Sequence, residues 1–116
     1  MEATACARFQ RGSSRKMNRI LTLIRNKPVQ KAVSILDFLP KPSKKPIVKT
    51  LKSAVANAMV KVGKAKITEQ DLFVKMATAD GGPVMKRFKA GARGSAARIL
   101  HRTCHINITV ATKENI

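Results

Sequence analysis

Few residues in this chain carry reactive side chains, and their spacing decides what they can do. The densest group is His101-Arg102-Thr103-Cys104-His105, which together with Cys6 offers the imidazole and thiol ligands that zinc prefers. On an extended strand, however, His101 and His105 point one way and Cys104 the other, and no CxxC pair exists to anchor a structural site. The same alternation turns Cys104 away from His105 and removes a thiol–imidazole nucleophile. Asp80-Gly81-Gly82 has the glycine content of a phosphate loop. It lacks a Gly-Lys-Ser/Thr ending and a helix directly after it, so it reads as a turn. Asp37, Glu69, Asp71 and Asp80 make no paired-carboxylate pattern. The expectation is no metal, no cofactor and no catalysis.

Charge is what remains. The 116 residues hold 24 Lys+Arg against 6 Asp+Glu, a formal charge of +18. No acid occurs from Ala3 to Leu36, from Phe38 to Thr68 or from Gly81 to Lys113, so the bases have no sequence neighbours with which to pair. A surface built only for solubility mixes signs along its faces. A chain this basic repels a second copy of itself and calls for a polyanion, nucleic acid before acidic lipid, so a homo-oligomer is not expected. With no Trp, no Tyr and 4 Phe, broad base stacking is not the main mode of binding. The apolar runs fall well short of the roughly 18 residues that a membrane span needs, and no secretory signal is evident. With only Cys6 and Cys104, no disulfide framework supports the fold, which favours a reducing, intracellular setting.

The elements that must position this charge follow from periodicity. Ser13 and Ser14 are N-cap candidates before Met17, Ile20, Leu21, Leu23 and Ile24, which recur at helical spacing. Asn26 suits the end of that helix, and Pro28 the start of a second with Val29, Ala32, Val33, Leu36 and Leu39 as its stripe. A proline-rich basic loop leads to a third helix near Pro46, whose seam is Val48, Leu51, Ala54, Val55, Ala58, Met59 and Val62, with Gly63 just past its end. Leu72 to Ala79 reads as a strand with positions 72, 74, 76 and 78 on one face. Asp80-Gly81-Gly82-Pro83 reads as a turn or strong bend, and His105 to Val110 as a core strand with Ile106, Ile108 and Val110 inward. Helices followed by strands imply an α+β fold, three helices packed on a small antiparallel sheet. At 44% hydrophobic, this is no disordered basic tail.

Between the two strands, Val84 to Cys104 has Gly91 and Gly94 near its middle and cationic arms of similar length, which predicts a long basic β-hairpin. Arms of about ten residues would reach roughly 30 Å. Opposed like charges would weaken such a ribbon, and two strands alone are marginal in water, so its order is expected to come from an anionic surround. A floppy basic loop is the plainer alternative. The chain thus divides into one domain, 1–116, with a globular part at 1–82 and 105–116 and a hairpin extension at 83–104.

Several motifs resemble the bacterial ribosomal protein L-twenty-two family: Arg11-Gly12-Ser13-Ser14-Arg15-Lys16, Leu23-Ile24-Arg25-Asn26-Lys27, Ser53-Ala54-Val55-Ala56-Asn57-Ala58, Gly82-Pro83-Val84-Met85-Lys86-Arg87, and the run from Ala92 to Ile106. The resemblance spans roughly residues 4 to 111, with the motifs in order. It implies a structural constituent of the large ribosomal subunit that binds the large-subunit RNA, assists assembly and lines the nascent-peptide exit tunnel with its hairpin. The partners it implies are that RNA, neighbouring large-subunit proteins and the nascent peptide. Carried onto this chain, Lys86, Arg87, Lys89, Arg93, Arg98 and Arg102 become hairpin contacts, and Arg11, Lys16, Arg19 and Arg25 contacts from the globular part. The tunnel tip becomes Lys89, Ala90, Gly91, Ala92, Arg93 and Gly94. Family members carry a Pro near this tip where the chain has Lys89-Ala90-Gly91.

The rival reading is a nucleoid-type non-specific DNA-binding protein, which accounts for the charge but not for a glycine-tipped basic hairpin beside a small sheet. A helix-turn-helix regulator fits less well, since no helix concentrates base-reading residues at its start.

Overall fold

The computed structural model describes residues 2–62 and 71–112. Its elements are β1 (Glu2–Arg11), α1 (Ser14–Ile24), α2 (Val29–Phe38), α3 (Lys44–Val62), β2 (Leu72–Gly81), β3 (Met85–Ala90), β4 (Ala96–His101) and β5 (Thr103–Thr112). Strands β1, β5 and β2 form an antiparallel sheet in that order, with β5 central, and β3 and β4 pair as a separate two-stranded ribbon. The fold is α+β. Gly63, expected just past α3, lies outside the described residues.

Most of the expected stripe residues turn inward, with Val33, Leu39, Val48 and Met59 half-buried, and the side chain of Val62 lies outside the described residues. Met17, Ile20, Leu21 and Ile24 of α1 pack over β2, and α3 lies across β1 and β5. Leu23, included in the expected stripe, is exposed, while α3 also buries Ile47 and Thr50, whose hydroxyl donates to the Pro46 carbonyl at 2.7 Å. Pro46 stands in the first turn of α3, where its missing N–H costs nothing. Ser13 is the N-cap of α1 in backbone conformation, but its hydroxyl makes no capping bond. The α1 N-terminal amides are therefore left without a side-chain acceptor.

One expectation is corrected, and two features are refined or added. Positions 72, 74, 76 and 78 do not share one face: a bulge between Val74 and Met76 resets the alternation, so that Leu72, Val74, Ala77 and Ala79 face the core and Met76 is exposed. Of the turn or strong bend expected at Asp80–Pro83, the structure has the bend without a chain reversal: Gly81 still pairs with Cys104, and Met85 already pairs with His101. Three residues there oppose two on the other side, so the sheet bends and continues as the ribbon. The N-terminal segment, to which the sequence pattern assigns no element, is a strand, β1, with Ala3 and Ala5 buried.

Candidate nucleic-acid interface

The ribbon has no core of its own. Every residue of β3 is exposed, as is β4 up to His101, and the molecule extends 67 Å along its long axis against 25 and 20 Å across. The pairing answers the problem of opposed like charges. Lys86 faces Leu100, Arg87 faces Ile99, Lys89 faces Ala97 and Arg98 faces Phe88, so each cation lies opposite an apolar residue. Directly opposed residues share a face. One side of the ribbon therefore carries Arg87 and Lys89, the other Lys86 and Arg98 beside Phe88. At the tip, the Gly91 N–H donates to the Ser95 carbonyl at 2.6 Å, and Arg93 and Gly94 both take positive φ, 58° and 75°. Gly91 sits close against Ser95: a Cβ on it would lie 2.8 Å from the Ser95 carbonyl oxygen.

At the ribbon's base the chain gathers the globular cations. The Gly12 N–H donates to the Arg102 carbonyl at 2.9 Å, tying the end of β1 to the joint between β4 and β5. Two adjoining grooves result. One is lined by Ser13, Ser14, Arg15, Lys16, Arg19 and Arg102, the other by Arg11, Gly12, Ser13, Lys16, Leu100, His101 and Arg102. Arg102, distant in sequence, thus joins Arg11, Lys16 and Arg19 around the uncapped N-terminus of α1, which has no acid in its first turn. Amides, dipole and guanidinium groups converge there on a place suited to an anion. Among the described residues, none of these cations has a carboxylate partner; Lys75, outside the group, pairs with Glu2.

Arg25 stands apart from the cluster. Its Nε donates to the Ala77 carbonyl at 2.7 Å and its guanidinium reaches the Asn18 amide oxygen at 3.4 Å, so it is turned onto β2. Neighbouring groups close the rest of that edge. Asn18 pairs with both backbone groups of Ala79, the Asn26 N–H donates to Val74, and the Val74 N–H donates to Lys27. Asn26 takes positive φ, 61°, as the end of α1 requires. The role of Asn18 escapes sequence reading, because a polar residue on a helix reads as solvent-facing. Phe9 escapes it too: β1 bulges between Ala7 and Gln10, and the bulge turns the ring outward.

A small helix-backed sheet drawn out into an exposed cationic ribbon defines the class, a basic α+β protein with a two-stranded extension. Comparison with known proteins gives that class its family. Residues 5–111 match the model of ribosomal protein L22p/L17e, and the chain belongs to this family. It is 47% identical over 116 positions to the large ribosomal subunit protein uL22 of Bifidobacterium animalis subsp. lactis, with 98% of each chain covered. The protein of the same name from Bifidobacterium longum is 49% identical with the same coverage, and that of Prochlorococcus marinus MIT 9515 is 43% identical, covering 98% of this chain and 87% of its own.

Proposed function

We propose that this protein is a structural constituent of the large ribosomal subunit in the cytoplasm, without catalytic activity, that binds large-subunit ribosomal RNA, assists assembly and threads its ribbon along the nascent-peptide tunnel. The observation that carries this reading is the ribbon: exposed on all sides, with no two cations directly opposed across its strands, and rooted in a cationic cluster. Lys86, Arg87, Lys89, Arg93 and Arg98 contact RNA along the ribbon, and Arg11, Lys16, Arg19 and Arg102 contact it at the base. Contacts of this kind read backbone and shape rather than sequence. Arg25, held on β2, positions the globular part and offers RNA at most its outer edge. The tip, Lys89 to Gly94, faces the tunnel and the passing peptide.

The test replaces residues 83–102 by Asn-Gly, a two-residue connection that suits the Gly82–Thr103 pair, whose backbone groups bond at 2.9 Å. The globular part is expected to fold, and the shortened protein to leave the large subunit in a high-salt sucrose gradient while the full chain stays. Equal retention of both proteins removes the ribbon from the binding function. Co-migration of the full chain with DNA instead favours the nucleoid reading.

A further inference from the structure

The open face of the sheet, opposite the helices, holds a groove of about 310 Å³ lined by Cys6, Arg8, Phe9, Asp80, His105 and Asn107. Its construction is unusual in one respect. Phe9 sits in the β1 bulge at φ 56°, a left-handed conformation that a bulky residue rarely adopts. The structure holds it there by one bond, from the Phe9 N–H to His105 Nδ1 at 3.1 Å, and by an edge-to-face contact of the two rings, 4.9 Å between centroids. Phe9 nevertheless stays 63% exposed. Bulges re-aim side chains, and strained backbone of this kind gathers at functional sites.

The polar groups around the ring have a defined sense. His105 accepts at Nδ1, so its proton is on Nε2, which is left as a donor. Asn107 donates to Asp80 Oδ2 at 3.2 Å and fixes the carboxylate, whose Oδ1 remains an acceptor. A carboxylate repels phosphate, yet this one stands in a strongly cationic protein beside Arg8. Acceptors next to an imidazole donor, beside an aromatic face, complement a flat ring that offers two adjacent N–H donors and a carbonyl. Among nucleobases, the Watson–Crick edge of guanine offers that set.

We propose that this groove takes one unstacked guanine of the bound RNA, with Phe9 stacking on the base, Asp80 accepting from N1–H and the N2 amine, and His105 donating to O6. The proposal rests on the RNA-binding reading above.

The test assembles four proteins with large-subunit RNA: the unaltered chain, Phe9→Gly, Phe9→Tyr and Asp80→Asn. A dicarbonyl reagent that adds across guanine N1 and N2 then probes the complexes, and backbone cleavage records overall binding. Glycine relaxes the positive φ, so Phe9→Gly keeps the fold while losing the ring. In Asp80→Asn the amide oxygen still accepts from Asn107. The expected result is one guanine protected by the unaltered chain and by Phe9→Tyr. In Phe9→Gly and Asp80→Asn it becomes about ten-fold more reactive, with the backbone footprint unchanged. Equal guanine reactivity in all four complexes, with the footprint intact, overturns the pocket and leaves RNA binding standing. Absence of any footprint overturns both.

Discussion

Asn18, in the middle of α1, holds both backbone groups of Ala79 on β2: its Nδ2 donates to the Ala79 carbonyl at 3.0 Å and its Oδ1 accepts the Ala79 N–H at 3.0 Å. One side chain thus acts as a further strand at the edge of the sheet. Edges left open invite pairing with other chains. Here α1 closes this one at Ala79 through Asn18 and at Ala77 through Arg25, and the link to α2 closes it at Val74.

Asn18→Ala strands a half-buried amide and carbonyl, each costing about 1–3 kcal/mol when unsatisfied. The expected loss is about 2–3 kcal/mol, or roughly 10 °C in Tm, with little change in RNA affinity at temperatures where the protein stays folded. Thermal denaturation of the free protein checks it. A change below a degree would mean that water replaces the amide without cost and that the edge is not held by this residue.

The bend between sheet and ribbon depends on Gly82. A Cβ there would lie 2.6 Å from Thr103 Oγ1 and 3.2 Å from His105 Nε2. Thr103 is buried and β-branched, and its hydroxyl donates to the Pro83 carbonyl at 2.6 Å, so it has little room to yield. Gly82→Ala is expected to break that bond and re-aim the ribbon. Its Tm should fall by a few degrees, and incorporation into subunits should fall further than the stability loss explains. Competition between variant and unaltered chain for limiting RNA separates the two effects.

How far this architecture was legible depended on side-chain size and on register. The helices were plain, because Met17, Ile20, Leu21 and Ile24 fall on one stripe and all four are buried. Strand β1 was not, because its inward residues, Ala3 and Ala5, are too small to mark an alternation and alanine has little preference for strands. It is a strand because β5 supplies its ladder. In β2 the shared face of positions 72, 74, 76 and 78 fails for a physical reason, the bulge at Lys75, which no local pattern locates. Charge alone points to a polyanion, whereas the particular contact residues follow only from the family resemblance. Their gathering at the ribbon base, the inward turn of Arg25 and the cation-to-apolar pairing of β3 with β4 all follow from tertiary placement.

The two cysteines differ in surroundings, and this has a pH consequence. Cys104 is fully buried on β5, and desolvation pushes its thiol above the ordinary value of 9.0, while Cys6 is exposed. A raised folded-state pKa means that the folded chain holds its proton more tightly than the unfolded one. The stability contributed is full below about pH 9 and is lost as pH rises through the folded value. Cys104→Ala should flatten that alkaline decline in a series of urea melts. Thiol labelling of the native protein at neutral pH should modify Cys6 within minutes and reach Cys104 only through unfolding. Equal labelling rates would show that β5 opens locally.

Ribbon charge separates structural from functional residues most directly. Arg98 lies opposite Phe88 on an exposed strand, and Lys49 lies exposed on α3, away from the ribbon. Neither side chain supports the core, so Arg98→Glu and Lys49→Glu should melt within a degree or two of the unaltered protein. Their binding should differ. If Arg98 neutralises a phosphate, Arg98→Glu lowers the slope of log affinity against log salt by at least ~0.7–0.9, the counterion released by one contact. It also reduces occupancy in sedimented large subunits, whereas Lys49→Glu changes neither quantity by more than the loss of net charge requires. The comparison is made on RNA at matched ionic strength, because at low salt any loss of positive charge weakens binding. Equal slopes and equal occupancy for the two variants would reduce the ribbon to one part of a diffuse cationic surface, and its apolar-for-cation pairing to a means of solubility.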